Sequence, residues 1–174
     1  MDDIIQHFRL DGKVALVTGC NRGLGQAMAV ALAQAGADIV GVSASAAATE
    51  TEHMVTDVGR RFIYISADLR STQPISSIMD KAIQNFGKID ILVNNAGIIR
   101  RNDALTFSES DWDEVIALNL KTVFFFSQAV AKFWVEHKSK GKIINIASML
   151  SFQGGIRVPS YTASKSGIRG LTMA

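Results

Sequence analysis

Short apolar runs rich in β-branched residues alternate along this chain with longer stretches whose apolar positions recur at helical spacing. Val14-Ala15-Leu16-Val17 and Ile91-Leu92-Val93 are continuous runs, as expected of strands covered on both faces by helices. The pattern predicts strands near 14–18, 38–43, 61–66, 89–94 and 142–147. It predicts helices at about 23–35, 48–58, 72–86, 108–138 and from 160 onward, the first carrying Leu24, Met28, Ala31, Leu32 and Ala35 at helical spacing. Alternation of this kind builds βαβ units, in which each helix carries the chain back so that the next strand lies parallel. The expected fold class is therefore α/β, a doubly wound parallel sheet of Rossmann type with five strands in the order 3-2-1-4-5. Gly36 and Gly87 follow two of the helices and can supply the left-handed residue that ends them. Ser108 with Asp111 reads as a capping box ahead of the fourth helix.

At 174 residues the chain fits a single domain over 1–174, long enough to bury roughly two-thirds of its unfolded surface. Eighteen basic and sixteen acidic residues leave a net charge of +2, and the basic residues are scattered. That distribution argues against a nucleic-acid partner or a charged membrane surface. Met1-Asp2-Asp3 is acidic where a secretory signal is basic, and no apolar run approaches the ~20 residues of a membrane span. A cytoplasmic location is expected. The single cysteine, Cys20, and the isolated His7, His53 and His137 offer neither a disulfide nor a metal constellation, so no metal is expected.

The first strand runs into Thr18-Gly19-Cys20-Asn21-Arg22-Gly23-Leu24-Gly25, and a helix opens inside that loop. Glycines allow a tight turn and close backbone approach, while the helix N-terminus offers free N–H groups to a pyrophosphate. Cys20 reads as a small filler rather than a nucleophile. In dinucleotide folds a carboxylate about 20 residues after the loop holds the ribose 2′-hydroxyl and favours NAD. Here the second strand ends at Ser43-Ala44 without one. Arg22 suits a 2′-phosphate, which favours NADP, and the sequence leaves NAD or NADP open.

Tyr161 and Lys165 are four positions apart at the start of the last helix and so share one face. Removing a hydroxyl proton as hydride leaves requires a base, and an ordinary tyrosine is too weakly ionised at neutral pH. An ammonium about 4 Å away favours a phenolate by roughly 4 kcal/mol at an effective dielectric near 20, before desolvation is counted. Ser148, just past the fifth strand, can hydrogen-bond the substrate oxygen.

The glycine loop, Asn94-Asn95-Ala96-Gly97, Asn119, Ser148 and Tyr161-x-x-x-Lys165 together resemble, in order and spacing, the short-chain dehydrogenase/reductase family. The resemblance implies Tyr161 as general acid/base, Lys165 as its electrostatic partner and a ribose ligand, Ser148 as substrate orienter, and Asn119 in a water-linked relay to Lys165. It implies a cofactor site of Gly19, Asn21, Arg22, Gly23, Leu24, Gly25, Ser43, Asp68, Leu69, Asn95, Ala96 and Gly97, together with Tyr161 and Lys165. The stretch from Ala147 to Tyr161 is most similar to a branch of sugar-acid dehydrogenases mostly associated with NAD. That similarity suggests a keto-sugar acid, with Gln153 or Arg157 facing its carboxylate because a carboxylate suits a fork-shaped donor.

Family members usually run to about 250 residues by this resemblance, so the last strands and a lid over the substrate are expected to be lacking. The resemblance also implies a homo-oligomer for the full-length family. The shorter chain is expected to leave its fifth strand as an apolar edge, to interrupt the oligomer interface, and to be poorly soluble or inactive alone. Phe124, Phe125, Phe126, Phe133 and Trp134 are read as core and, by resemblance, dimer interface. A truncated, inactive dinucleotide-binding fragment or sensor module is the alternative. A P-loop protein lacks support, because the loop has no Gly-Lys-Ser/Thr ending.

Overall fold

The computed structural model describes residues 4–45 and 47–174. Strands β1 (Val14–Thr18), β2 (Asp38–Ser43), β3 (Phe62–Ser66), β4 (Ile91–Asn94) and β5 (Lys142–Asn145) form one sheet in the order β3-β2-β1-β4-β5. Every neighbouring pair is parallel. The helices are α1 (Gly23–Gln34), α2 (Thr49–Thr56), α3 (Pro74–Phe86), α4 (Glu109–Ile116), α5 (Thr122–Glu136) and α6 (Pro159–Met173). Short 3₁₀ turns at Ile4–Phe8, Ala104–Thr106 and Met149–Ser151 have no counterpart in the hydrophobic pattern.

The continuous apolar run of β1 has a direct cause. Val14 and Leu16 enter one core cluster with Ile78, Phe126 and Val130, while Ala15 and Val17 enter a second with Ala29, Val30 and Val55. Alternate side chains point to opposite faces, and α3 and α5 cover one face while α1 and α2 cover the other. The winding direction reverses between β1 and β4, and a crevice opens beyond the C-terminal ends of those strands, where doubly wound sheets bind their ligands.

Several boundaries differ from the sequence expectation. β4 begins at Ile91, although Asp90 N donates to Val14 O and Asp90 O accepts from Lys142 N, both at 2.9 Å. The Asp90 carboxylate accepts from Val14 N at 2.9 Å, and the Ile89 carbonyl accepts from the Trp134 indole at 2.6 Å. α1 ends as foreseen, with Gly36 at φ +115°, Ala37 N donating to Leu32 O and Gly36 N to Ala33 O, the paired bonds of a Schellman motif. Gly87 is left-handed and closes α3. The capping box at Ser108 is only half formed. Ser108 Oγ accepts from Asp111 N at 3.1 Å, but the Asp111 carboxylate pairs with Arg100 instead.

The helix expected over 108–138 is interrupted by a π turn at Ala117–Lys121. The helical run Glu109–Glu136 spans 28 residues with mean hydropathy 1.3 in its most apolar window, long and apolar enough to cross a membrane by length and composition. This corrects the expectation that no segment approaches that length. Val115, Leu118, Val123, Phe126, Val130 and Trp134 are buried, and Leu118, Phe126, Val130 and Trp134 lie in the core beside the sheet, the placement of a core helix. Phe124 and Phe125 are partly exposed and meet edge to face at 5.1 Å. Ile143 and Ile144 of β5 are also partly exposed.

Candidate active site

The glycine loop is shaped by close backbone contacts. Gly19 and Gly23 have φ of +69° and +58°, and a Cβ on Gly25 would lie 2.0 Å from Gly19 O. Arg22 occupies the N-cap of α1 in extended conformation without a side-chain cap, leaving donors of the first helical turn for an anion. Thr18 braces this loop against the one after β4. Its Oγ1 accepts from Asn95 N and Ala96 N, both at 3.0 Å. The Asn95 amide donates to Thr18 O at 2.9 Å, so that side chain holds the two loops together.

Between these loops lies a cleft of about 560 Å³. Gly19, Asn21, Arg22, Leu24 and Gly25 line one side, and Ser43, Asp68, Leu69, Asn95, Ala96 and Gly97 continue around it. Of the expected loop residues Gly23 alone is absent from the wall. Leu24 is 73% exposed, an apolar side chain presented to the cleft. The wall also includes Ala44, Ser45, Arg70, Arg100 and Leu118, none of which the sequence singled out. Arg70 grips Asp68 at 2.7 Å and reaches Glu114 at 3.1 Å, while Arg100 holds Glu114 at 2.7 Å. Hydrogen bonding from Arg70 holds the Asp68 carboxyl below its ordinary range, and Arg100 does the same for Glu114. At the end of β2, Ser43 Oγ lies 2.7 Å from the Tyr64 hydroxyl and 2.8 Å from Ser45 Oγ.

Ser148, Tyr161 and Lys165 do not line this cleft; they belong to the adjoining ends of β5 and α6. Lys165 is 5% exposed, and its Nζ donates to Ile146 O at 2.5 Å and lies 5.7 Å from the Tyr161 ring centroid. Burial pushes its pKa down. The Tyr161 hydroxyl has no hydrogen-bond partner among the described residues. Ser148 Oγ accepts from Leu150 N at 3.2 Å, capping the 149–151 turn, and Ser151 Oγ ties that turn to Lys165 O at 2.7 Å.

Asn119 links the two regions. Its Oδ1 accepts from Ile98 N and its Nδ2 donates to Ile98 O, both at 2.9 Å, with a longer bond of 3.3 Å to Ser164 Oγ. Both amide protons are thus engaged, and the side chain joins the cleft wall to α6. Gln153 is exposed. Arg157 adopts φ +63°, and its guanidinium pairs with Asp103 at 3.1 Å. Cys20 is fully buried, and desolvation raises its pKa to about 11, consistent with a filler role.

Residues 13–174 match the family model described as short chain dehydrogenase. The chain is 63% identical over 169 residues to the 2-dehydro-3-deoxy-D-gluconate 5-dehydrogenase of Escherichia coli (strain K12), covering 97% of this chain and 66% of that protein. It is 47% identical over 165 residues to the enzyme of the same name from Bacillus subtilis (strain 168), covering 95% of this chain and 64% of that protein. Among solved structures, an Agrobacterium tumefaciens protein with bound NADP superposes with a TM-score of 0.87 at 51% identity, covering 95% of this chain and 65% of that one. The carveol dehydrogenase of Mycobacterium avium in complex with NAD gives the same TM-score at 28% identity, covering 94% and 64%. The chain spans about two thirds of the length of these relatives. With its parallel 3-2-1-4-5 sheet and its match over 13–174, the chain belongs to the short chain dehydrogenase family.

Proposed function

We propose that residues 1–174 form one domain supplying the dinucleotide site and the proton-transfer residues of an oxidoreductase that interconverts a secondary alcohol and a ketone on a gluconate-type sugar acid. One observation carries the reading: Asn119 bonds both to the wall of a glycine-lined cleft and to the helix that bears Tyr161 and Lys165. The name of the 63% identical relative motivates the substrate class.

The cleft suits a nicotinamide dinucleotide, because the first turn of α1 is uncapped and Gly19 and Gly25, where a Cβ would meet Asn95 or the Gly19 carbonyl, let the loop fold tightly. Gly19, Gly23 and Gly25 form the pyrophosphate loop with Asn21, Arg22 and Leu24 beside it, while Ser43, Asp68, Leu69, Asn95, Ala96 and Gly97 border the adenosine half. When bound, the nicotinamide supplies or accepts hydride. The Tyr161 hydroxyl, without a hydrogen-bond partner among the described residues, donates its proton to the ketone oxygen in reduction and takes it back in oxidation. Lys165 favours the phenolate and binds the ribose. Ser148 Oγ accepts from Leu150 N, so its own proton is free to hold the substrate oxygen. Asn119 acts by positioning α6, because its amide protons are already bonded. Gln153 or Arg157 faces the substrate carboxylate. The reading places the protein in the cytoplasm, acting on a small molecule, with the homo-oligomer belonging to the full-length family.

The test follows reduced nicotinamide absorbance with the purified protein across gluconate-type keto acids and simple ketones lacking a carboxylate. Preference for the keto acids by about tenfold or more in kcat/KM is expected. Equal rates with simple ketones overturn the substrate class, and dinucleotide binding without turnover of any substrate favours a binding module.

A further inference from the structure

We infer that Asp103 is a positioning residue for substrate choice, holding the Arg157 guanidinium so that its terminal nitrogens take the carboxylate of the sugar acid. The inference rests on the dehydrogenase reading and deepens it, choosing Arg157 over Gln153 and naming what orients it.

Arg157 stands four positions before Tyr161, in the loop that leads from Ser148 into α6. Its φ of +63° is a left-handed conformation, which a residue with a Cβ keeps only where its surroundings hold it. The loop after β4 supplies the hold. Asn102 N donates to Arg157 O at 3.0 Å, and Asp103 Oδ1 lies 3.1 Å from Arg157 Nε. Asp103 is itself fixed by a turn. Asn102 Oδ1 accepts from Asp103 N at 2.8 Å, its Nδ2 donates to Thr106 O at 3.1 Å, and Thr106 N donates to Asp103 O at 3.1 Å. The loop that carries Arg100 on the dinucleotide cleft wall therefore clasps the loop that precedes Tyr161.

The chemistry of the pair points to orientation. Its side chains are 57% and 71% exposed, and an ion pair so open to water contributes little to stability. Asp103 approaches the guanidinium most closely at Nε, which turns the plane of the group, and neither terminal nitrogen hydrogen-bonds any described residue. Those two nitrogens present the edge that a carboxylate accepts bidentately. Gln153 is exposed as well, but its amide carries no charge and hydrogen-bonds no described residue that would orient it.

Titration calorimetry of the purified protein with oxidised dinucleotide bound, where no hydride can move, compares 5-keto-D-gluconate with its uncharged methyl ester. The parent is expected to prefer the acid by about tenfold or more, the scale of a charge-assisted contact. Arg157→Ala is expected to lower acid affinity by about tenfold and to leave ester affinity within about twofold. Asp103→Asn is expected to lower acid affinity by at least about threefold with an unchanged denaturation midpoint, and Asp103→Glu to lie closer to the parent. The double variant Arg157→Ala/Asp103→Asn is expected to bind like Arg157→Ala alone, because Asp103 acts through Arg157. Undiminished acid affinity in either single variant, additive losses in the double variant, or equal losses for acid and ester overturn the inference, while the dehydrogenase reading survives. A parent that shows no preference for the acid, or binds neither compound, overturns the sugar-acid reading as well.

Discussion

Cys20 shows how strongly position determines the chemistry of a side chain. Its thiol is fully buried, and a Cβ on Gly41 would come within 2.6 Å of its sulfur. Desolvation raises its pKa to about 11, so the folded state keeps the proton longer than the unfolded chain does. Stability is therefore expected to fall as pH rises from the ordinary thiol range near about 8.5 towards 11, because the unfolded state then binds fewer protons. With one cysteine in the sequence, a thiol reagent at about pH 8 is expected to react only after denaturant unfolds the protein; rapid labelling of the native protein would contradict that burial. Gly25 provides the steric counterpart. A methyl group there would meet the Gly19 backbone oxygen at 2.0 Å, so Gly25→Ala is expected to weaken dinucleotide binding more than about tenfold and to destabilise the fold by about 1–3 kcal/mol. Titration and denaturant melts check the two effects separately. Both residues could be read from the loop sequence alone. The bracing role of Asn95 could not, because its partner Thr18 is 77 residues away in the chain.

At the scale of elements, the π turn at Ala117–Lys121 is the feature the hydrophobic pattern missed. Apolar periodicity records which face is buried, and one extra residue in a turn leaves most of that face unchanged. The residue that accompanies the turn was visible as Asn119, but its two bonds to Ile98 depend on a loop folding back. Asn119→Ala removes the partner of the part-buried amide and carbonyl of Ile98, at up to about 1–3 kcal/mol for each group. A lowered denaturation midpoint together with reduced turnover is expected; an unchanged midpoint would contradict the link between the cleft wall and α6. The start of β4 was misplaced for a similar reason. Ile89 looks like a strand residue, yet its carbonyl accepts from the Trp134 indole, and Asp90 bonds the backbone of Val14 and Lys142 just ahead of the strand.

For the whole molecule, the strand order and the position of the crevice follow from the alternation of elements. Most of the proposed dinucleotide residues accordingly line one cleft. Local spacing could not reveal the charges assembled around that cleft from distant loops: Arg70 and Arg100 meet at Glu114 across three separate segments. Nor could it show that Lys165 is buried and bonded to Ile146 O. Together these features place a glycine-lined cleft beside a tyrosine whose hydroxyl has no hydrogen-bond partner among the described residues. We propose that this tyrosine transfers the proton during hydride transfer. Turnover of a gluconate-type keto acid by reduced dinucleotide, compared between the parent protein and Tyr161→Phe, tests it most directly. A loss of about 10²–10⁴-fold in kcat is expected, whereas turnover within about threefold of the parent would contradict the assignment.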